Sequence, residues 1–359
     1  MSEILELLGE RGAVFAAPHD GGDRIARHFG DPRGEYRAGV EGCGVVYRAD
    51  RRLLRVHGRA PRRMLHGIVT NRVPDPPAAD GHGEEVVYGT ILTPKGRMVT
   101  DLKTLWLGAG EGEGVGLDVA TRGHEAVLGH FTRFMPPRFA RVDDLGDRVG
   151  LLTVVGPGAE DVLTAALGRL PAGGYALLDG GPREDGVLVA RAVEQVPSWD
   201  VWAPADRLPA VWRALEDGGG VPVGWGAWET LRIEAGFPAF GVDMDETTIP
   251  IEAGLLDRAF DHGKGCYTGQ EVIVRIRHRG RVNWHLRALR FGDVAVRPGA
   301  QLFEAGGAKV RGRVTSVAES PRFGQAVGLG YVRREIEPPG TLRLGSGEGA
   351  AVGVEDLAR

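Results

Sequence analysis

The sequence predicts an α+β fold: two strand–glycine–helix units followed by a small C-terminal β-barrel. Three observations lead there. The run Leu53-Leu54-Arg55-Val56 reaches Gly58 and then the apolar pair Met64-Leu65, and the run from Leu151 to Val155 reaches Gly156 and then Val162-Leu163. In both, the pair falls six and seven residues after the glycine, far enough into the next element to pack back on the strand. After Trp284 the texture changes to short apolar runs at 286–291, 301–303, 313–317 and 326–332, punctuated by Gly and Pro, the pattern of a small barrel. The expected units are residues 1–145, 146–285 and 286–359, with approximate boundaries and with interleaving of the first two allowed.

Composition narrows the function classes. In 359 residues, 57 Gly and 22 Pro imply many turns and short elements without reaching the level of disorder. A net charge of -4 gives no whole-chain attraction to nucleic acid or anionic membrane, so no direct nucleic-acid or membrane partner is expected. Two cysteines, Cys43 and Cys266, cannot supply a four-ligand zinc or iron–sulfur site or a disulfide scaffold. The acidic N-terminus and the lack of a long apolar run read as a soluble, cytoplasmic protein. Residues 73–77 (VPDPP) and 108–116 (GAGEGEGVG) read as surface loops; neither contains a dinucleotide or P-loop glycine pattern. No metal site is expected, because His262, His278 and His285 lack a ligand register. His19-Asp20 and His66 form no recognisable triad.

The chemistry concentrates between Trp228 and Arg281. If the run Leu231-Arg232-Ile233-Glu234 is a strand, Arg232 and Glu234 share one face. A carboxylate so placed can accept two parallel N–H bonds from a flat heterocycle with an amidine-like edge. The alternative is that the two charges pair with neighbours on a solvated face. Downstream, Lys264-Gly265-Cys266 precedes Tyr267, Thr268, Gly269, Gln270 and Glu271. A helix starting near Tyr267 or Thr268 leaves Cys266 at its N-terminal end, where open amides and Lys264 favour the thiolate, with Val272 and Ile276 on the buried face. A strand instead places Arg275, Arg277, Arg279 and Arg281 on one face. Either way a cationic patch adjoins the cysteine; the plain alternative is a buried cysteine beside solvated arginines.

Residues 231–236 (LRIEAG), Gly241, residues 244–247 (MDET) and Pro250 resemble the folate-binding core of the glycine-cleavage T-protein (aminomethyltransferase) superfamily. The octet KGCYTGQE at residues 264–271 is similar to the signature of its YgfZ branch. Residues 35–38 (EYRA), residues 44–46, both strand–glycine units and residues 328–332 extend the resemblance. It implies a ring of two α+β units and a barrel around a central folate channel, with tetrahydrofolate or a one-carbon derivative as cofactor. It also implies that Glu234 anchors the pterin, Arg232 orients Glu234 or the ligand, and Arg275 and Arg277 meet the glutamate tail. Cys266, supported by Lys264, is the implied reactive thiol. Where the family carries an Asp-Asp pair in the folate site, this chain has Thr100-Asp101, and a threonine cannot act as an anion. The expected function is therefore tetrahydrofolate-linked support of iron–sulfur assembly or repair in client enzymes, including tRNA-modifying ones, with those clients or assembly factors as partners. Folate-dependent aminomethyl or methyl transfer is the alternative.

Overall fold

The computed structural model describes residues 2–358 apart from 17–24, 78–80, 109–112, 169, 172, 180, 183–185 and 195. His19-Asp20, the centre of the 108–116 loop and the side chain of Arg279 lie outside the described residues.

Both strand–glycine–helix units form as the apolar spacing requires. Strand Arg51–Gly58 turns into helix Pro61–His66, and strand Val149–Val155 into helix Ala159–Leu167. The linking glycines share a physical reason: Gly58 and Gly156 have φ of 131° and 111°. A Cβ on Gly58 would lie 2.9 Å from the Phe139 carbonyl oxygen, and one on Gly156 would lie 2.5 Å from that of Gly42.

Two sheets carry these units. The first has five antiparallel strands in the order Val87–Leu92, Met98–Trp106, Val115–Ala120, Arg51–Gly58, Ala140–Asp144. The second has seven, and Val149–Val155 pairs there with Gly44–Tyr47 and Ser198–Pro204, so strands from the two halves of the chain interleave. The sheets share one core, in which Leu54, Leu102 and Trp106 meet Leu151, Leu188 and Trp202. On its other side the seven-stranded sheet packs against helices through Leu8, Leu163 and Trp212. The VPDPP segment is not a simple surface loop: Val73 is buried, and the Pro74 carbonyl accepts the Trp106 indole N–H at 2.9 Å.

The barrel closes with six strands: Trp284–Gly292, Gln325–Arg333, Val310–Ser320, Gln301–Phe303, Gly340–Leu344 and Ala351–Glu355. The last two strands were missed in the sequence, although Leu342 and Val352/Val354 alternate inward as a half-buried strand should.

The strand expected at residues 231–234 is a helix, Trp225–Glu234. Ala227, Trp228 and Leu231 form a stripe of helical period, and Gly236, at φ 69°, ends the helix with its N–H on the Ile233 carbonyl. Apolar–charged alternation misleads here because the helix is buried on more than one side. Ile233 meets barrel residues Leu286, Val327 and Leu329, while Arg232 is buried in an ion-pair network. In a helix, residues two apart point in nearly opposite directions, so Arg232 and Glu234 do not share a face.

Candidate functional site

A cavity of 2080 Å³ opens where the N-terminal segment, the seven-stranded sheet and the barrel meet, and the Trp225–Glu234 helix forms one wall. Glu234 lines it with Tyr36, Trp225, Ser320 and Arg322. Tyr36 Oη donates to both Glu234 oxygens, at 3.1 and 2.9 Å, and the Ser320 hydroxyl donates to Oε1. Burial, and then the neighbouring Glu234 carboxylate, push the Tyr36 phenol well above its usual range and keep it a donor. Tyr36 is itself placed by its neighbour: buried Glu35 accepts the N–H groups of Phe29 at 2.7 Å and Gly224 at 2.9 Å, tying helix Pro32–Glu41 to the start of the Trp225–Glu234 helix. Oε1 accepts from both hydroxyls, whereas Oε2 accepts from Tyr36 alone and retains acceptor capacity. Arg33 and Arg37 are exposed on its lining.

Arg232 does not orient Glu234. Its guanidinium lies behind the wall, donating to Glu229 at 2.6 and 2.7 Å, to Asp243 at 2.7 Å, to the Phe237 carbonyl at 3.1 Å and to Ser316 at 2.9 Å. Burial works against its charge, but Glu229 and Asp243 outweigh it and hold the group ionised. It locks the helix to the barrel instead of meeting a ligand.

Thr100 and Asp101 lie elsewhere, fully buried in strand Met98–Trp106 and outside the lining of the Glu234 cavity. Asp101 pairs with Arg51 at 2.9 Å and accepts from Tyr88 Oη at 3.2 Å; Thr100 Oγ1 donates to the Asp101 carbonyl at 2.9 Å. Arg51 continues to Asp118, while Lys103 bridges Asp200 and Glu194, the latter at 2.7 Å. Burial opposes ionisation of Glu194, but Lys103 and then Arg48 bring its carboxyl down to about 2. Among the described residues, one oxygen each of Asp118 and Glu194 is buried without a hydrogen-bond partner. The sequence reading missed this network, whose signal was charge inside otherwise apolar strands: Asp101 and Lys103 in MVTDLKTLW, Asp118 in VGLDVA and Asp200 in SWDVWAP. Tyr88 also lines a smaller cavity of 500 Å³ with Val193, Arg258 and Phe260. Arg258 stands 5.2 Å from the Phe237 ring centre, and burial lowers its pKa.

The KGCYTGQE segment packs beside this smaller cavity through Phe260 and Asn71. The helix begins at Gln270, later than expected, and the left-handed Gly269, at φ 82°, caps it; a Cβ there would lie 2.6 Å from the Thr93 carbonyl oxygen. Cys266 is therefore four residues ahead of the helix, beyond the first-turn reach of the open amides. It is exposed, whereas Cys43 is buried and burial pushes its thiol up to about 11. The Lys264 amine turns inward, donating to the Val69 and Asn71 carbonyls at 2.7 and 2.8 Å, and burial brings its pKa down to about 8. Tyr267 packs between Lys264 and Phe260, Glu271 is exposed in the first helical turn, and Gly265 faces His66. The buried helical position is Ile273; Val272 and Ile276 are half-buried, and Val272 covers Gly96. Because 270–279 is a helix, its arginines do not form the single-faced row a strand would give. Arg275 and Arg277 are exposed and outside the Glu234 cavity, so neither meets the tail of a ligand held there. Glu234 thus faces one cavity, while the Asp101 network and the KGCYTGQE segment meet at another, where Tyr88 and Phe260 line the wall and Tyr267 packs on Phe260.

Comparison with known proteins follows the same outline. Residues 196–261 match the GCVT N-terminal domain model and residues 281–344 the glycine cleavage T-protein C-terminal barrel domain model. An aminomethyltransferase of Rubrobacter xylanophilus is 31% identical over 261 residues, covering 70% of this chain and 66% of that relative. One from Saccharopolyspora erythraea is 29% identical over 371 residues, covering 100% of this chain and 96% of the relative. In fold, the chain superposes on the glycine cleavage system aminomethyltransferase T of Bartonella henselae with a TM-score of 0.84 at 22% identity, covering 99% and 96% of the two chains. Together with the six-stranded terminal barrel, these matches place the chain in the glycine-cleavage T-protein superfamily.

Proposed function

We propose that the chain binds tetrahydrofolate in the Glu234 cavity and serves folate-dependent transfer of an aminomethyl or methyl group. The observation that carries this is the Glu234 carboxylate, fixed by Tyr36 and Ser320 on the wall of a cavity large enough for the whole cofactor. A planar 2-amino-4-oxo pterin edge offers two N–H groups that match one carboxylate, and exposed Arg33, Arg37 and Arg322 on the lining suit the glutamate carboxylates. Tetrahydrofolate supplies the nitrogen that carries the one-carbon unit; the chain's part is to hold and orient it. The relatives named aminomethyltransferase support the transfer reading.

Calorimetric titration with tetrahydrofolate tests it. Glu234→Gln is expected to weaken binding at least roughly tenfold, the equivalent of about 1.4 kcal/mol. Equal affinity would remove Glu234 from the pocket, and no binding by the unaltered chain would end the folate reading. Turnover with an aminomethyl or methylamine donor then tests transfer itself.

A second reading rests on exposed Cys266 in KGCYTGQE and on uncharged Thr100: a YgfZ-type protein that uses folate while supporting iron–sulfur client enzymes. Rescue of iron–sulfur enzyme activity that requires Cys266, in cells lacking the native protein, would favour this reading over transfer.

A further inference from the structure

Beside the cysteine segment lies a cavity of 360 Å³ lined by Arg59, Ala60, Arg62, Arg63 and His66. Helix Pro61–His66 buries Pro61 and Leu65, which leaves Arg62, Arg63 and His66 on its outer side, next to the preceding Arg59. Among the described residues, Arg59 and Arg63 have no carboxylate partner; Arg62 has one, Asp75 at 2.6 Å, and that pair is exposed and so contributes little. Three guanidinium groups held within five residues repel one another, and the chain offers almost no internal compensation. A planar guanidinium presents paired N–H donors that fit two oxygens of a phosphate. The pocket adjoins Cys266: the Cβ position of Gly265 is 3.7 Å from His66 Nε2, and the Thr268 N–H donates to the Gly67 carbonyl at 3.1 Å.

We propose that Arg59, Arg62, Arg63 and His66 form a phosphate-binding subsite that docks the phosphate group of a substrate beside Cys266. This assignment does not depend on folate binding. The surrounding charges give it a pH signature. Burial lowers the His66 pKa, the Lys264 and Arg62 charges lower it further, and Asp261 opposes them. A bound phosphate adds negative charge and raises that pKa, so His66 takes up a proton on binding. For a phosphodiester, whose charge is constant near neutral pH, binding tightens as pH falls through the His66 titration, whereas inorganic phosphate and AMP gain a proton over the same range, which opposes the effect.

The test is proton NMR titration of His66 in the full chain with inorganic phosphate, with AMP and with a short single-stranded RNA as separate probes. Saturable binding with an upward shift of the His66 pKa is expected, as is slower alkylation of Cys266 by iodoacetamide when phosphate is bound. Arg59→Ala and Arg63→Ala change exposed side chains and should each weaken binding about fivefold or more without altering the melting temperature. Similar binding of phosphate and AMP would identify a free phosphomonoester as the ligand. Binding of RNA alone, falling steeply with salt, would identify a nucleic-acid backbone. No shift of His66 with any probe overturns the subsite, as does affinity unchanged in the Arg59→Ala/Arg63→Ala protein. Unaltered Cys266 alkylation at saturating ligand overturns its placement beside the thiol.

Discussion

Tyr36 Oη donates to both carboxylate oxygens of Glu234, 198 residues away along the chain. The contact joins helix Pro32–Glu41 to helix Trp225–Glu234 at the cavity wall, so it fixes both the local packing and the direction of the carboxylate. A carboxylate held by hydroxyl donors has lost much of its rotational freedom before a ligand arrives, which lowers the entropic cost of a two-point contact.

Tyr36→Phe keeps the ring and removes the donor. Loss of a hydrogen bond to a charged acceptor costs about 1.5–3 kcal/mol when the acceptor is left short, and Ser320 still donates here, so the effect falls at the lower end. Tetrahydrofolate affinity is expected to fall about tenfold, with only a small change in melting temperature. Calorimetry on the variant checks this, and unchanged affinity would show that Tyr36 has no part in presenting Glu234.

The two cysteines should separate cleanly in a labelling experiment. Cys266 is exposed and Cys43 is buried, with its thiol pushed up to about 11 by burial. At neutral pH iodoacetamide should modify Cys266 alone, and Cys43 only after denaturant unfolds the chain. Mass spectrometry of the labelled peptides reads the outcome, and labelling of Cys43 in the native protein would contradict the burial.

What the sequence revealed and what it hid have one cause. The strand–glycine–helix units were legible because apolar pairs at fixed offsets from Gly58 and Gly156 report local periodicity, which needs no knowledge of the partner surface. Helix Trp225–Glu234 was not, because Arg232 and Ile233 are both buried, one in ion pairs and one in the barrel interface, and that erases the polar face by which a surface helix is recognised. The placement of Asp101 and Cys266 outside the Glu234 cavity is a long-range property that residue spacing does not carry. The pocket at Arg59, Arg62, Arg63 and His66 was equally hidden, because residue spacing does not show that, among the described residues, Arg59 and Arg63 have no carboxylate partner while Arg62 has an exposed one.

The Glu194 carboxyl provides a pH prediction. Its folded pKa of about 2 lies below the ordinary 4.5, because Lys103 and Arg48 outweigh the burial that works the other way. Between these values the unfolded chain binds the extra proton, so the contribution of Glu194 is complete above 4.5 and is lost as pH falls toward about 2. Glu194→Gln should be less stable than the unaltered chain at neutral pH, and the difference should shrink across that acidic window. Denaturant midpoints measured against pH test this; a difference independent of pH would mean that the loss comes from packing instead of charge.

Thr100→Asp tests whether restoring the transferase-like carboxylate restores chemistry. Thr100 is fully buried in an interior strand, its hydroxyl is spent on the Asp101 carbonyl, and its Oγ1 lies 2.5 Å from where a Cβ on Gly123 would sit. The space is therefore closed, and a carboxylate there would need a cation. Arg51, which pairs with the adjacent Asp101, already serves Asp118 as well. A second buried anion with no partner of its own costs several kcal/mol or becomes protonated, and in neither case does it act as the electrostatic stabiliser that the family's carboxylate provides. Thr100→Asp is thus expected to lower the melting temperature and to leave turnover with the glycine-cleavage donor negligible, as in the unaltered chain, whose proposed transfer uses a different aminomethyl or methylamine donor. The assay couples lipoyl carrier protein, tetrahydrofolate and the remaining glycine-cleavage components, with thermal melts run in parallel. A variant that melts normally and turns over would show that the strand opens to admit substrate at this position, and robust turnover by the unaltered chain would show that the reaction does not need the carboxylate at all.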